Sequence, residues 1–584
     1  MQLLRSFRAF ALAVVATAGA LSTRLQAQGV TTASMTGAVV ATNGVAVQGA
    51  TVQATHLPSG TVYRASTRSD GRFTIPGMRV GGPYQVTVRA LGFQPKTRED
   101  LTLSLGVSTD LQFTLEQAAT QLQAIAVTAT SGPMSSARTG ASTTVGREAL
   151  NAFPTIGRTI GDFTRLTPQA SGTSFAGQDN RLNNITVDGS FFNNSFGLQG
   201  QPGGRTGVAP IPLDAIEQIQ VNIAPYDVRQ GNFVGAGINA VTKSGTNKYE
   251  GSFYALRRDQ DYVGTKAGAN PFNPGVFKFG QIGARLSGPI IKNKLFFFAN
   301  YEGDGLEQPG TFFTANTGTQ NVTGNTTRVL QSDLDQLRSY LKTNFNYETG
   351  DYAGWQLKTP SSRIITKLDW NATANNKVSL RYIQLDSKAD QPVSNSNSLG
   401  LLGNRRDNSN AMSFATSGYA IKENIRSLVG EVNSIIGNNK ANNFILGYTT
   451  NDESREYKGA LFPTVDIMKD GLTYINFGFE PFTPANQLRY HTFQVQDNFT
   501  IYTAKHDLTF GASAQWYRSE NVFFPGSQSV YVYNSLADFY ADANSYLANK
   551  NRTTSPVTLR RFQLRYNNIP GQVEPLQPLE VTYA

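Results

Sequence analysis

His506-Asp-Leu-Thr-Phe-Gly-Ala-Ser-Ala-Gln-Trp-Tyr517 alternates without a break. Leu508, Phe510, Ala512, Ala514 and Trp516 fall on one face, and Asp507, Thr509, Gly511, Ser513 and Gln515 on the other. Successive side chains of a strand point to opposite sides, so this segment has one apolar and one polar surface. The pattern returns at 492–501, where Phe493, Val495, Phe499 and Ile501 oppose Thr492, Gln494, Gln496, Asn498 and Thr500. Only Asp497 interrupts the apolar side. Repeated over several hairpins of an exported chain, this predicts a transmembrane β-barrel with lipid outside and water inside.

Ten strands are predicted, near 248–258, 277–288, 294–304, 363–371, 376–386, 424–437, 442–453, 490–502, 505–518 and 556–567. Their connections alternate in length. Those at 290–294, 372–377, 437–440 and 503–505 are tight turns rich in Asn and Lys. Those at 259–276, 305–362, 387–423, 454–489 and 519–555 are long and polar. Short periplasmic turns and long outer loops are the habit of outer-membrane barrels, whereas a soluble β-sandwich would call for more even turns. Trp370 falls at a turn end and Trp516 at a loop end, which places the two in opposite aromatic girdles.

Charged residues make up only 16% of the 584, yet the mean hydropathy is −0.30. The difference is made up by uncharged polar residues, 55 Gly, 35 Phe and 24 Tyr, a composition suited to strands that are half wet and half lipid-facing. Cys is absent, which excludes disulfides, thiolate metal sites, a Cys nucleophile and a lipoprotein anchor. His56, His491 and His506 are far apart and in no metal-ligand spacing. The net charge of +10 comes with no basic run or nucleic-acid motif, so it is assigned to solvated loops and an anionic surface. Val234-Gly-Ala-Gly-Ile-Asn-Ala240 lacks the third Gly of a nucleotide loop, and Glu302-Gly-Asp-Gly305 lacks calcium-loop spacing. No nucleophile elbow is found, so neither an enzyme nor a cofactor is expected.

Arg5 and Arg8 precede an apolar stretch from Phe10 to Ala20, with small-residue exits at Ala18-Gly-Ala20 and Ala27. This predicts a secretory signal peptide over 1–27. It is too short to cross a bilayer, and no later apolar run nears the roughly 18 residues of a transmembrane helix. A spanning form must then be a closed barrel.

Residues 30–115 carry strand and turn signals, including Val47–Val52, Asp70-Gly71 before Arg72-Phe73, and Pro83–Ala90. Gly37, Gly49-Ala50, Asp70-Gly71-Arg72-Phe73, Pro76 and Tyr84 resemble the carboxypeptidase regulatory-like domain, which implies a prealbumin-like β-sandwich. It is read as a spacer or docking module, with carbohydrate binding as the alternative. A linker over 116–135 holds Ala124-Ile-Ala-Val-Thr-Ala129, which resembles the TonB box; a last strand of the sandwich is the other reading. An extended segment on a tether can add to the sheet edge of a partner.

Residues 136–246 mix signals for a small α+β unit. A short helix is predicted over 156–166, a strand at 182–189 running into a turn, a helix passing into a strand over 211–221, and a strand at 234–245. Thr186-Val-Asp-Gly189, the 211–221 segment and Gly235-Ala-Gly-Ile-Asn-Ala-Val-Thr-Lys-Ser-Gly245, continued by 286–298 and Tyr301-Glu302, resemble the plug of TonB-dependent outer-membrane receptors, nearest the Oar-like group. The resemblance covers roughly 30–305. It implies a barrel over 247–584, a bacterial outer-membrane location with the N-terminal domain in the periplasm, and energy-coupled uptake of a small ligand. The implied partners are the inner-membrane TonB complex, outer-membrane lipid and a small ligand or oligomer.

The candidate residues follow from that reading. Ile125, Ala126 and Val127 are assigned to TonB contact. Arg181, Asp188 and Arg229 are plug charges, either wall-pairing and gating or ordinary surface pairs. Tyr340, Tyr347, Tyr352 and Trp355 are aromatic loop residues that either stack on a ligand or fold the loop. About ten strands is fewer than the roughly 22 that enclose a plug, so a C-terminally truncated barrel with an unpaired, aggregation-prone edge is expected. A surface structural or adhesion protein without transport, and an exported carbohydrate-binding protein, are the alternatives.

Overall fold

The computed structural model describes residues 31–117 and 141–564, apart from 226, 228, 272, 273, 399, 400, 402, 504, 505, 527 and 528, and the backbone of Leu579–Tyr583. The expected signal peptide and the 124–129 segment lie outside the described residues.

The N-terminal unit is a two-sheet sandwich of seven strands: β1 (Ala33–Ala41), β2 (Thr51–His56), β3 (Thr61–Ser66), β4 (Arg72–Met78), β5 (Gly81–Arg89), β6 (Lys96–Leu103) and β7 (Ser108–Leu115). The sheets run β4-β1-β7 and β3-β2-β5-β6. Strand alternation builds the core: Val39, Phe73, Ile75, Val86, Val88 and Phe113 are all buried between the sheets. Each such side chain contributes about 1.5–3 kcal/mol over its exposed state.

A buried histidine lies beside that core. His56 is 5% exposed, shares a hydrogen bond with Ser59 Oγ through Nδ1 (2.7 Å) and lies 5.0 Å from the Tyr84 ring. Burial first, and Arg79 second, push its imidazole down to about 3 from 6.5. The folded form therefore keeps His56 neutral where the unfolded chain already takes up a proton. Stability of the sandwich is expected to fall by roughly 2–3 kcal/mol between pH 7 and pH 4.5. Amide exchange of β2 and β5, corrected for intrinsic rates, measures this, and His56→Gln should flatten the dependence.

Ten strands form the second body, a meander in which each pairs antiparallel with the next. Its first six are β13 (Glu250–Asp259), β14 (Lys278–Ile291), β15 (Leu295–Pro309), β16 (Gln356–Asn371), β17 (Asn376–Gln391) and β18 (Tyr419–Ile436). The remainder are β19 (Lys440–Tyr457), β20 (Gln487–Tyr502), β21 (Asp507–Val522) and β22 (Leu579–Tyr583). Alternation sorts their faces. Residues 381, 383, 385, 387 and 389 of β17 are buried toward the interior, while Leu380, Leu428, Leu446, Phe493 and Phe510 stand exposed outside. Such a large apolar exterior is stable only against lipid. Asp497, the exception on that face, lies near the turn end of β20 and accepts from Asn442 Nδ2 at 2.8 Å. Among the described residues β13 and β22 do not pair with each other, so the sheet is open at that seam.

The tenth strand differs from the expected one. Among the described residues of the 556–567 segment only Arg561–Gln563 is a strand, and it pairs with Val530–Tyr533 in the outer loops, with Phe562 5.0 Å from Tyr531. Leu579–Tyr583 takes the wall position instead.

The long loops also hold more structure than their polarity suggests. Met412–Ser413, Leu472–Phe477, Thr464–Lys469, Val530–Tyr533 and Arg561–Gln563 form one sheet in that order. Two helices pack on it, Gln331–Phe345 and Leu536–Ala548. Leu334, Leu337 and Leu341 recur at helical spacing and join Ile467, Phe477 and Phe539 in a separate core. The second helix opens on Ser535, whose Oγ accepts from Asp538 N–H. The outer loops are thus a folded cap.

Candidate functional site

The interior of the wall is filled by a five-stranded sheet whose strands lie in the order 190–191, 184–187, 237–242, 216–222 and 142–146. Its strands are β8 (Ser142–Gly146), β9 (Asn184–Val187), β10 (Ser190–Phe191), β11 (Ile216–Asn222) and β12 (Gly237–Thr242). Two short helices, Arg147–Ala152 and Gly161–Thr164, lie beside it. All of β9 and β12 is buried, as expected of strands covered on both faces. We refer to this unit as the plug.

Asp188 and Gly189 form the two-residue turn between β9 and β10, both at positive φ (43° and 71°), the pairing that a tight hairpin requires. The turn carries Asp188 to the wall. Its carboxylate lies 3.2 Å from Arg381 Nη1 and 3.4 Å from Lys367 Nζ, and accepts from Thr242 N–H (2.8 Å) and Oγ1 (2.6 Å). Burial alone would raise this carboxyl, but Lys367, Arg381 and the two Thr242 hydrogen bonds outweigh it and hold it below the usual range. Arg381 also donates to Val187 O.

A second plug carboxylate, Asp214, receives Arg285 (3.6 Å) and Ser252 Oγ (2.7 Å) from the wall and Lys243 (3.2 Å) from the plug. Burial pushes the Lys243 ammonium down even so. The polarity reverses higher up. Wall residue Glu423 accepts Gly203 N–H (2.7 Å) and Arg205 N–H (3.0 Å), and Glu453 pairs with Arg205 Nε at 3.2 Å. Phe191 N–H donates to Gln494 Oε1 at 3.1 Å. Plug and wall are therefore joined by buried ion pairs and hydrogen bonds beside an apolar contact through Phe298, Ile365, Ile383, Leu385 and Ile425. Such pairs specify register and add little net stability, because desolvation offsets the attraction.

Above the plug a cavity of about 770 Å³ opens between plug, wall and loops, within the range of small-molecule sites. Thr159 and Val208 form its floor, Phe279 and Arg363 its side, and Phe312, Trp355 and Arg406 its upper rim. Arg363 is held by Glu302 and Asp304 and donates to Ala209 O at 2.9 Å. Trp355 packs on Gly310, where a Cβ would meet its ring, and its Nε1 has no hydrogen-bond partner among the described residues.

The expected site residues divide accordingly. Of the three plug charges only Asp188 forms ion pairs with the wall among the described residues. Arg181 pairs with Asp179 at 2.8 Å and Arg229 with Asp227 at 2.7 Å, both two residues away. Of the four loop aromatics only Trp355 lines the cavity. Tyr340 donates to Asn544 Oδ1 (2.7 Å), Tyr347 stacks on Phe462 at 4.2 Å, and Tyr352 donates to Asp335 Oδ1 (2.8 Å), all within the cap. Burial and then Asp335 push the Tyr352 phenol up to about 12. Sequence reasoning missed Lys367, Arg381, Glu423 and Asp214. The first three are charges on the inner face of wall strands, and that placement was their available signal.

Residues 241–566, more than half of the chain, match the family described as outer membrane beta barrel domain. The chain belongs to that family. Residues 34–116 match the carboxypeptidase regulatory-like domain. This family member resides in the outer membrane, with its sandwich on the periplasmic side. It is 29% identical over 159 residues to the TonB-dependent transporter Oar of Myxococcus xanthus, covering 25% of this chain and 14% of the relative. It is 27% identical over 178 residues to the probable TonB-dependent siderophore receptor PirA of Acinetobacter baumannii, covering 26% and 22%. The solved structure of the outer membrane transporter YddB from Escherichia coli aligns with a TM-score of 0.46 and 13% identity, over 67% of this chain and 50% of that one. The chain thus spans less than a quarter of the curated relatives' lengths in the matched regions.

Proposed function

We propose that this protein is a TonB-dependent receptor that takes up a ligand across the outer membrane by energy-coupled movement of its plug. The observation that carries the reading is the plug–wall interface. A sheet whose apolar core continues onto Phe298, Ile365, Ile383, Leu385 and Ile425 fills the interior of a lipid-facing wall, and Asp188 and Glu423 fasten it there through polar pairs that can be exchanged for water. A ligand settling in the outer cavity against Trp355 and the plug's upper loops would bias that contact, and a pull from the periplasm would complete the change.

Ile125, Ala126 and Val127 are the proposed strand for TonB, which would pair with them along the backbone. Asp188 is the proposed gating charge, with Arg181 and Arg229 shaping the plug surface. Tyr340, Tyr347 and Tyr352 act through the cap and Trp355 through direct ligand contact. The open seam beside β13 needs further strands, because lipid leaves no partner for unpaired backbone.

Val127→Pro removes a backbone donor and blocks strand pairing. It is expected to abolish binding of a TonB C-terminal domain to membrane-embedded receptor, measured by pull-down, while leaving receptor abundance unchanged. Undiminished binding would remove the segment from the mechanism. Loss of surface phenotypes with uptake of all tested nutrients unchanged would favour an adhesion role instead.

A further inference from the structure

The sandwich is seated in the periplasmic mouth and touches both wall and plug. Arg79 reaches furthest in. Its Nη2 lies 3.2 Å from Asp369 Oδ2 on β16, and its Nη1 donates to Gly245 O, where plug passes into wall, at 3.2 Å. Its guanidinium also sits 5.8 Å from the Phe296 ring on β15. The sandwich core fixes the backbone of Arg79 from both sides: its N–H donates to Tyr63 OH (3.3 Å) and its C=O accepts from Tyr84 OH (2.7 Å). Nearby, Asn371 Nδ2 donates to Thr61 Oγ1 (3.0 Å) and Asn247 N–H to Pro58 O (2.8 Å). On the plug side, Leu105 N–H donates to Gln218 Oε1 (2.7 Å) and Gln220 Nε2 donates to Leu105 O (3.0 Å). Both glutamines are buried on β11.

We infer that the sandwich is a latch, which holds the plug in place at the mouth and must leave its seat before β11 and β8 can move. A flexible spacer would not place a half-buried arginine between a wall carboxylate and a plug carbonyl. Topology links the two movements. β8 is an edge strand of the plug sheet and β7 an edge strand of the sandwich, and the chain between them joins these two edges. A load on that connection acts on plug and latch together. The source of the load rests on the importer reading; the latch geometry does not.

The absence of Cys makes a clean test possible. A Cβ built on Gly77 of β4 lies 3.8 Å from Asn433 Cβ on β18, the spacing a disulfide needs, and the strain of Cys at its φ of 64° is common to the oxidised and reduced forms. Full-length Gly77→Cys/Asn433→Cys protein in outer-membrane vesicles is pulled through a biotin-acceptor peptide inserted after Gly132. The reduced protein, its own control for folding, should show latch release followed by plug extension. Oxidation should slow plug extension at the same force at least tenfold, and Arg79→Gln alone should speed the first event roughly tenfold. Equal extension rates in oxidised and reduced protein would overturn the latch. TonB takes no part in this assay, so a chain that failed to bind TonB would lose the importer reading while the latch stood.

Discussion

Asp188→Leu is expected to weaken the seating of the plug by about 3–5 kcal/mol, the cost of leaving buried charges without their partner. Lys367 and Arg381 would keep their charges at 8% and 2% side-chain exposure without the carboxylate that pairs with both, leaving only Glu431 among the described residues to act on them. Thr242 would lose an acceptor for both its N–H and its hydroxyl. Leu would also be strained at φ 43°, where Asn is tolerated, so Asp188→Asn isolates the charge and should cost less, about 2 kcal/mol. Hydrogen exchange of Asn184–Val187 and Gly237–Thr242 in membrane-embedded protein measures both. Exchange unchanged in Asp188→Asn would show that the pair does not hold the plug. Replacing Lys367 and Arg381 with Met beside Asp188→Leu should recover much of the loss, since an apolar set can substitute for a buried ionic one.

The same triad sets a pH window. The Asp188 carboxyl is held below its unfolded value of 3.8, so its contribution is complete above that value and disappears as pH falls through the lower folded one. Plug exchange should therefore not vary through Asp188 between pH 5 and pH 8. His56 behaves differently, because its neutral form is favoured and the sandwich weakens already below about pH 6.5. Mild acid is thus expected to loosen the sandwich before the plug.

What the sequence showed depended on how local the signal is. Alternation over 507–517 needs no partner to be seen, and the wall strands were legible for that reason. The Asp188-Gly189 turn was legible too, because its chemistry is contained in two residues. The partners of Asp188 were not, since Lys367 and Arg381 lie on other elements more than 170 positions further along the chain. Arg181 and Arg229 illustrate the opposite case. Each follows an Asp by two residues and pairs with that neighbour rather than with a wall carboxylate. The cap was hidden because its sheet is assembled from four separate segments, and only the hairpin Thr464–Phe477 with its Asp470-Gly471 turn carries a local pattern. Phe562 favoured Tyr531 in that cap over a place in the wall, which moved the tenth strand to Leu579–Tyr583.

Tyr347→Ala should destabilise the cap by about 3–5 kcal/mol, whereas Trp355→Ala should leave cap stability within about 1 kcal/mol of the wild type. The two residues are eight apart in one loop and have the same kind of side chain, but their surroundings differ. Tyr347 is 3% exposed, lies 4.2 Å from Phe462, and through it reaches Phe345 and Phe477 at 6.0 and 6.1 Å. Removing its ring opens a void in the centre of the cap. Trp355 instead borders the outer cavity with its Nε1 unpartnered, so its loss should appear in ligand occupancy. Trypsin cleavage within 458–486 on intact cells reports the first effect. The second is read from Trp355 emission, isolated by Trp370→Phe and Trp516→Phe because the chain has only three Trp. Quenching by a tested ligand would place that ligand in the cavity. Wild-type protease resistance in Tyr347→Ala would show that its ring does not hold the cap together and would return it to the candidate ligand contacts.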